Sequence, residues 1–263
     1  MRRELKYLVR EADRERLVRR LSPYIRPDPH ATVRKDGALG YTVRSIYFDS
    51  PGLRDWTEKE SGDEIRRKTR IRSYDTPGSG PTVLEIKRKE NQAVWKDRAP
   101  MTAQQATYLL AGGQPEDLDL PKKVRIAAER FLYRIRAERR KPVLLVTYWR
   151  EPNVGRLDPS LRVTLDRRLR VAAFPSLGPE MEGLFSERLK PVMPGSFILE
   201  VKYDRSHPSW MRAIVAEFGI RQQALSKYGM GLQLESLAAP WRFGRSAVGA
   251  LAASPAQVPS LSP

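Results

Sequence analysis

Charged residues alternate with other residues in two short stretches of this chain, at 65–72 (Ile-Arg-Arg-Lys-Thr-Arg-Ile-Arg) and 83–89 (Val-Leu-Glu-Ile-Lys-Arg-Lys). Successive side chains of a β-strand point to opposite faces, so each stretch would place its alternate charges on one face. These residues are Arg66, Lys68, Arg70 and Arg72 in the first stretch, and Glu85, Lys87 and Lys89 in the second. Arginine binds phosphate oxygens bidentately and lysine binds them as a point charge. The two stretches therefore predict strand faces that suit phosphate groups.

Four further stretches show the same alternation. Their charged or polar faces carry Glu4 and Lys6, Lys96 and Arg98, Arg162, Thr164 and Asp166, and Glu200 and Lys202. A sheet with one face in water would explain any single strand. Side by side, however, such faces would align like charges across neighbouring strands, which is unfavourable. We therefore expect a closed barrel with a charged lumen, in which bound anions neutralise the cations, and with helices packed outside.

Composition limits the chemistry of this face. The 263 residues carry a net charge of +17, which favours polyanionic partners such as phosphate chains, nucleotides, nucleic acid or acidic lipid. The absence of cysteine excludes disulfides and thiol nucleophiles, and two histidines cannot form a multi-histidine metal site. A metal ion would need carboxylate ligands, which suit Mg²⁺ or Mn²⁺. Glu85 and Glu200 each precede a lysine by two residues, which makes them candidate metal ligands.

The pattern predicts one domain over residues 1–239 and a disordered tail over 240–263, which is rich in Ala, Ser and Pro. Helical spacing of apolar residues predicts helices over 103–110 and 121–137. We find no apolar signal core at the N-terminus and no run of roughly 20 apolar residues. We therefore expect no transmembrane segment and a cytoplasmic location.

Eight short motifs, taken in order, resemble the VTC domain. They are Glu-Leu-Lys-Tyr (4–7), Arg-Ser-Ile-Tyr-Phe-Asp (44–49), Arg-Lys-Thr-Arg-Ile-Arg (67–72), Leu-Glu-Ile-Lys (84–87), Tyr-Trp-Arg (148–150), Arg-Val-Thr-Leu-Asp (162–166), Leu-Glu-Val-Lys (199–202) and Leu-Ser-Lys-Tyr (225–228). The VTC domain is the catalytic domain of the vacuolar transporter chaperone polyphosphate polymerases. It belongs to the triphosphate tunnel metalloenzymes, alongside the CYTH phosphatases.

This resemblance implies an α+β fold built on an eight-stranded antiparallel β-barrel, the triphosphate tunnel. It also implies transfer of the ATP γ-phosphate to a growing polyphosphate chain, with Mn²⁺ or Mg²⁺. By resemblance, the catalytic phosphate ligands are Lys6, Arg70, Arg72, Lys87, Arg150 and Lys227. Further contacts implied by the resemblance are Lys96, Arg98, Tyr148 and Ser226, with Glu200 as the metal ligand. The strand pattern itself adds Arg66, Lys68, Lys89, Arg162 and Lys202 as substrate-binding residues.

Two other functions remain open at this point. CYTH triphosphatases begin with Glu-x-Glu-x-Lys, whereas this chain has Arg2 at the first of these positions and Glu4 at the second. A metal-dependent triphosphatase or polyphosphatase is therefore the alternative enzyme. A non-catalytic protein that binds polyphosphate or nucleic acid through charge alone is the alternative from another class. We expect ATP and polyphosphate or pyrophosphate as partners and no specific nucleic acid, and we leave a membrane-protein partner open.

Overall fold

The computed structural model describes residues 3–33, 37–74, 80–91, 93–186, 188–204 and 206–238. Within these ranges the strands are β1 (Arg3–Arg10), β2 (Ile25–Pro27), β3 (Thr32–Val33), β4 (Leu39–Asp49), β5 (Ile65–Tyr74), β6 (Thr82–Glu90), β7 (Ala93–Met101), β8 (Lys141–Gly155), β9 (Arg162–Ala173), β10 (Lys190–Pro191) and β11 (Ser196–Tyr203). The helices are α1 (Arg14–Leu21), α2 (Arg54–Glu60), α3 (Ala103–Leu110), α4 (Lys122–Ala137), α5 (Ser209–Glu217) and α6 (Lys227–Leu234). The tail predicted at 240–263 lies outside the described residues.

Eight long strands form one antiparallel sheet in the order β1-β11-β9-β8-β4-β5-β6-β7. The short strands β2, β3 and β10 pair with β8, β4 and β9. Sheet and helices together give the α+β class that the sequence predicts.

The sheet is strongly curled. On a flat sheet, the five intervals between β1 and β5 would span roughly 24 Å. Yet Lys6 of β1 donates to the carbonyl of Leu225 at 3.0 Å, and Lys68 of β5 donates to the hydroxyl of the next residue, Ser226, at 2.9 Å. The charged faces of distant strands therefore converge on one interior, which we call the inner face.

Closure of the barrel is not confirmed. In the part of the chain that the structure describes, no ladder joins β1 to β7, and these two strands form the ends of the pairing order. The β1 edge instead meets the segment before α6, through a bridge between Tyr7 and Gln222 and a bond from the Gln223 amide to the Lys6 carbonyl at 2.9 Å.

The outer face of the sheet is covered by two apolar layers. One joins β4 to β7 with α3 and α4, centred on Ile71, Leu84 and Phe131. The other joins β1, β9 and β11 with α1 and α5, centred on Leu17, Val163 and Phe197. Because these layers bury the apolar side of each strand, the alternating charged side chains must face inward.

Helix α6 packs on the inner face. Its Tyr228, Met230 and Leu232 are buried with β4 and β8 residues such as Tyr47 and Leu144. Gly231 permits this approach, because a Cβ there would lie 2.5 Å from Leu144 Cδ2 and 2.8 Å from Val171 Cγ1. The inner face is therefore apolar where α6 lies and charged beyond it. Among the described residues, no helix combines the length and apolarity needed to cross a membrane.

A buried network of ion pairs and hydrogen bonds anchors α6 to the sheet through Tyr228. Tyr228 donates to Asp49 at 2.8 Å, and Arg140 lies 3.5 Å from Asp49 and 2.8 Å from Asp55. Arg134 of α4 also contacts Asp55, at 3.1 Å. Burial, with the Asp49 charge, raises the pKa of Asp55 to about 6. The network thereby connects α2, α4, β4 and α6.

Candidate functional site

Cations without carboxylate partners cover β5, β6 and β7 on the inner face. We call them the cationic wall: Arg66, Lys68, Arg72, Lys87, Lys89 and Lys96. Within the described residues, no carboxylate lies at ion-pair distance from any of them. Strand register places like charges directly opposite each other, as in Lys68 with Lys87 and Lys87 with Lys96. Such pairs are destabilising, so a bound anion would stabilise this wall.

The pKa values of three of these lysines are lowered, because burial and neighbouring cations disfavour their protonated forms. Burial, together with the charges of Lys6 and Lys87, lowers the pKa of Lys68 to about 8. Partial burial and the neighbouring Arg98 lower the pKa of Lys96 to about 8. The pKa of Lys87 is also lowered, by burial and by Lys6, although Glu4 opposes this. Since β1 and β6 are far apart in the pairing order, the effect of Lys6 on Lys87 shows again how far the sheet curls.

The opposite part of the inner face has matched charges. We call it the paired wall: Arg150, Asp166, Glu200, Lys202 and Lys227. Arg150 forms a bidentate pair with Asp166 at 2.6 Å in both contacts. Lys227, at the start of α6, lies 2.6 Å from Asp166 and 2.7 Å from Glu200.

The cations and carboxylates of the paired wall stabilise each other's charged forms. Burial alone would raise the pKa of Glu200, but Lys227, Lys202, Lys6 and Arg150 outweigh it and hold that pKa well below its ordinary value. Burial would likewise lower the pKa of Lys227, but Asp166 and Glu200 raise it. Both shifts favour the ionised forms of Glu200 and Lys227 in the absence of a ligand.

Glu85 and Tyr47 orient the arginines between the two walls. Glu85 accepts hydrogen bonds from Arg70 and, at 2.9 Å, from Arg98. Arg70 also donates to the Tyr47 hydroxyl at 3.0 Å. Its Nε is buried and has no hydrogen-bond partner among the described residues. A phosphate oxygen is a suitable acceptor for such a donor.

Tyr47 is the functional residue that the sequence reasoning missed. Burial would raise its pKa, but Arg70, Lys68 and Arg72 lower it to about 8. Its ring stacks on Tyr228 with centroids 4.8 Å apart. The signal in the sequence was its place on the Tyr-Phe-Asp strand, but only the register that pairs Tyr47 with Arg70 gives it a role.

The accessory contacts lie near the start of α6. Ser226 accepts from the Gly229 amide at 3.2 Å and so caps the helix, while its hydroxyl also receives Lys68. The Tyr148 ring lies 4.7 Å from Lys227 and 5.3 Å from the Arg150 guanidinium. These residues connect the cationic wall to the paired wall.

Arg162 is held apart from the other predicted residues. It pairs with Asp28, a buried carboxylate just beyond β2. Asp166, on the same strand, does not pair with Arg162 but binds Arg150 and Lys227. Arg162 and Asp166 lie four residues apart on β9. Arg150 of β8 lies directly opposite Asp166, so it reaches Asp166 where Arg162 does not.

The sequence was compared with models of known protein families. The family model described as the VTC domain matches residues 1–235. The chain belongs to the VTC domain family. A comparison with curated proteins gave no match.

Three solved structures similar to this VTC domain are distant from it in sequence. An adenylate cyclase candidate from Bacillus halodurans is 15% identical, with 85% of this chain and 92% of that chain covered and a TM-score of 0.49. A protein from Pyrococcus horikoshii is 13% identical, with 89% and 99% covered and a TM-score of 0.43. A second adenylate cyclase candidate, from Vibrio parahaemolyticus, is 10% identical, with 87% and 96% covered and a TM-score of 0.43.

The two predicted metal ligands of this VTC domain differ in their surroundings. Among the described residues, no group of three Asp, Glu, His or Cys side chains is arranged to hold a metal ion. Glu85 has both oxygens bound by arginines, which cannot deprotonate to release it. Glu200 is bound chiefly by lysines and lies near Glu4. The pKa of Glu4 is lowered to about 2, because the charges of Lys6 and Lys202 outweigh the effect of its burial.

Glu200 therefore fits a divalent ion better than Glu85 does. Mg²⁺ is commonly bound through one or two carboxylates together with substrate phosphates, and this is the donor set that Glu200 and Glu4 offer. Glu85 fits the role of orienting Arg70 and Arg98 instead.

Proposed function

We propose that this VTC domain is a polyphosphate polymerase that transfers the γ-phosphate of ATP to the end of an inorganic polyphosphate chain. The observation that carries the proposal is the cationic wall, whose six cations face inward without carboxylate partners among the described residues. A chain of phosphates supplies one negative charge per unit and would neutralise them in series. Membership in the VTC family favours this substrate over a single small anion.

In the proposed reaction, a terminal phosphate oxygen of the chain attacks the γ-phosphorus of ATP, and ADP leaves from the opposite side. Phosphoryl transfer of this kind depends on positioning and charge stabilisation rather than on a covalent nucleophile. Arg70, Arg72 and Lys87 hold phosphates on one side, and Lys6, Arg150 and Lys227 hold them on the other. The absence of cysteine is no obstacle to this chemistry.

A divalent ion, Mn²⁺ or Mg²⁺, would bind with the substrate at Glu200, with Glu4 as a second candidate carboxylate. When bound, such an ion neutralises charge on bridging phosphate oxygens. The ring of Tyr148 and the hydroxyl of Ser226 would complete the nucleotide contacts.

We further propose that the curled sheet encloses the substrate as a tunnel. The charge of Lys6 on β1 acts on Lys87 of β6, which supports an interior bounded by both ends of the sheet. Residues 1–239 would form this one domain.

The product formed from ATP tests the proposal. The protein is incubated with ATP and Mn²⁺, and the products are separated on a gel, with EDTA and an Arg70→Ala variant as controls. Long polyphosphate that is sensitive to an exopolyphosphatase, and absent from both controls, supports the polymerase. Orthophosphate alone would overturn the polymerase in favour of the triphosphatase. Binding of polyanions with no turnover would overturn both.

A further inference from the structure

A further group of cations lies at the β7 edge of the sheet, where it shares Lys96 with the cationic wall. A cavity of about 410 Å³ opens between β7 and the N-terminal half of α4. Its charged lining residues are Lys96, Asp97, Arg98, Lys122, Lys123 and Arg130. We call this cavity the β7–α4 groove. Five cations and one carboxylate give its lining a strong positive excess.

Most of these cations lack an internal counter-charge. Asp97 is bound by Arg130 at 3.0 Å, and Arg98 by Glu85 at 2.9 Å. For Lys96, Lys122 and Lys123, no carboxylate of the described residues lies at ion-pair distance, and all three are exposed. A surface that served only solubility would not need to gather them around one cavity.

The position of the two lysines on α4 is unfavourable in the protein alone. Lys122 and Lys123 occupy the first turn, which has no acidic residue and no side-chain cap. The N-terminus of a helix carries partial positive charge, so lysines there repel it and anions stabilise it. An anion in the groove would therefore be attracted by both the side chains and the helix.

The groove is continuous with the inner face. Lys96 and Arg98 line the groove, yet Arg98 reaches the buried Glu85 and the charge of Lys87 acts on Lys96. The connection runs over β7, whose outer edge has no strand partner among the described residues. An extended anion could thus contact both regions at the same time.

We propose that the β7–α4 groove binds a linear phosphate-anhydride chain outside the inner face, as a second subsite for long polyphosphate. The identity of this ligand rests on the proposed function, whereas the existence of an anion site rests on the groove itself. A short chain fills the inner face alone, and a long one extends over β7 to Lys122 and Lys123.

The test compares binding of tripolyphosphate and long-chain polyphosphate. The variant Lys122→Ala/Lys123→Ala should lower affinity for long-chain polyphosphate by about tenfold, equivalent to about 1.4 kcal/mol, and leave tripolyphosphate affinity unchanged. The affinity of this variant for long-chain polyphosphate should also depend less on salt concentration, since fewer counterions are released on binding. The matched control is Arg19→Ala/Lys141→Ala, which removes two exposed cations that do not line the groove and lowers the net charge equally.

A second variant separates binding from folding. Lys122→Glu/Lys123→Glu should reduce long-chain binding further while keeping or raising the melting temperature, because acidic residues suit the first turn of a helix. Equal losses in the groove and control variants would overturn the groove. Equal losses for DNA and polyphosphate would overturn the phosphate-chain ligand. Failure to make polyphosphate from ATP would overturn the proposed function but would leave this binding comparison intact.

Discussion

The cationic wall and the paired wall face the same interior but handle charge in opposite ways. On the paired wall, Glu200 and Asp166 each contact two or more cations, and the strong pKa shifts of Glu200 and Lys227 favour the ionised forms. On the cationic wall, Lys68 and Lys96 have lowered pKa values because burial and like charges oppose their protonation. The charges of the paired wall are neutralised within the protein, whereas those of the cationic wall would be neutralised by a bound anion.

This difference suggests a division of labour. A fixed, internally neutralised wall can hold its arginine and lysine in one geometry, which reduces the reorganisation needed during the reaction. A wall of unneutralised cations gains most when a polyanion arrives, so it supplies attraction. The predictions below test this contrast, from the largest expected effect to the smallest.

The largest effect should come from removing the central anion of the paired wall. Glu200→Gln would leave Lys227, Lys202 and Arg150 without one of their partners in a buried setting. Breaking a buried ion pair from one side costs about 3–5 kcal/mol, so we expect a loss of that size in the free energy of unfolding, measured with urea.

The matched control for this change is Asp97→Asn. Asp97 is a partly exposed carboxylate that Arg130 contacts at 3.0 Å, and loss of an exposed pair costs less than about 1 kcal/mol. Similar losses in the two variants would show that the paired wall has no special role in stability.

On the cationic wall the balance should reverse. Lys87→Ala removes a cation that faces other cations, so the free energy of unfolding should stay the same or rise. The proposed phosphoryl transfer should nevertheless slow by about 10²-fold in kcat/KM, as happens when a positioned charge donor is lost.

Arg88→Ala is the control for Lys87→Ala. Arg88 is the next residue on β6, but it points to the outer face, is exposed and pairs with Glu90 at 2.6 Å. Both variants change the net charge equally. A similar fall in kcat/KM for both would mean that overall charge, rather than the inner face, governs the activity.

A smaller effect is expected where the walls meet. Tyr47→Phe keeps the ring that stacks on Tyr228 but removes the oxygen that accepts from Arg70. Loss of one such hydrogen bond costs about 1 kcal/mol, so kcat/KM should fall about fivefold.

The pH profile distinguishes this positioning role from a loss of stability. The wild-type rate should change near pH 8, where the pKa values of Tyr47, Lys68 and Lys96 lie, and Tyr47→Phe should lose part of that change. Tyr133→Phe, at an exposed tyrosine of α4, serves as the control. An unchanged pH profile in Tyr47→Phe would count against this role.

A separate effect concerns stability as a function of pH. The pKa of Lys68 is lowered from the ordinary lysine value of 10.5 to about 8 in the folded protein, so between these values the unfolded chain binds more protons. The same holds for Tyr47 between about 8 and 10. Stability should therefore rise with pH from about 8 to 10, and above pH 10 the raised pKa of Tyr228 opposes the trend.

Melting temperatures measured across this range check the effect. The rise should be smaller in Lys68→Met and smaller still when tripolyphosphate is bound, because an anion restores the lysine pKa values. A profile that falls from pH 8 to 10 in the free protein would contradict the account of the cationic wall.

Local patterns predicted many of the elements. The strand at 65–74 follows from its alternation, and the helix at 103–110 from its apolar spacing, which a Thr102–Gln105 capping box reinforces. Strand β9 is longer than the alternation at 162–166 indicates, because the alternation breaks at Arg167 and Arg168 without ending the ladder. The short strands β2, β3 and β10 have two or three residues each, too few to show a period.

The site could be predicted only as far as its faces. Alternation indicates that Glu85 and Arg70 point inward, but only the strand register brings them into contact. Lys227 reaches Glu200 from a helix distant in sequence, which no local pattern encodes. Closure of the barrel, the cytoplasmic location and the assignment of each site residue to catalysis remain predictions.

The open ends of the sheet have a consequence for how the protein behaves in a crowded solution. Unpaired strand edges tend to recruit other chains into intermolecular sheets, and proteins resist this with charged residues, proline and covering segments. Strand β7 carries Lys96, Arg98 and Pro100, and the β1 edge is covered in part by Gln222 and Gln223. The cations proposed to gather phosphate would thus also keep neighbouring copies from joining edge to edge, and a substitution that neutralises β7 should be judged by aggregation as well as by activity.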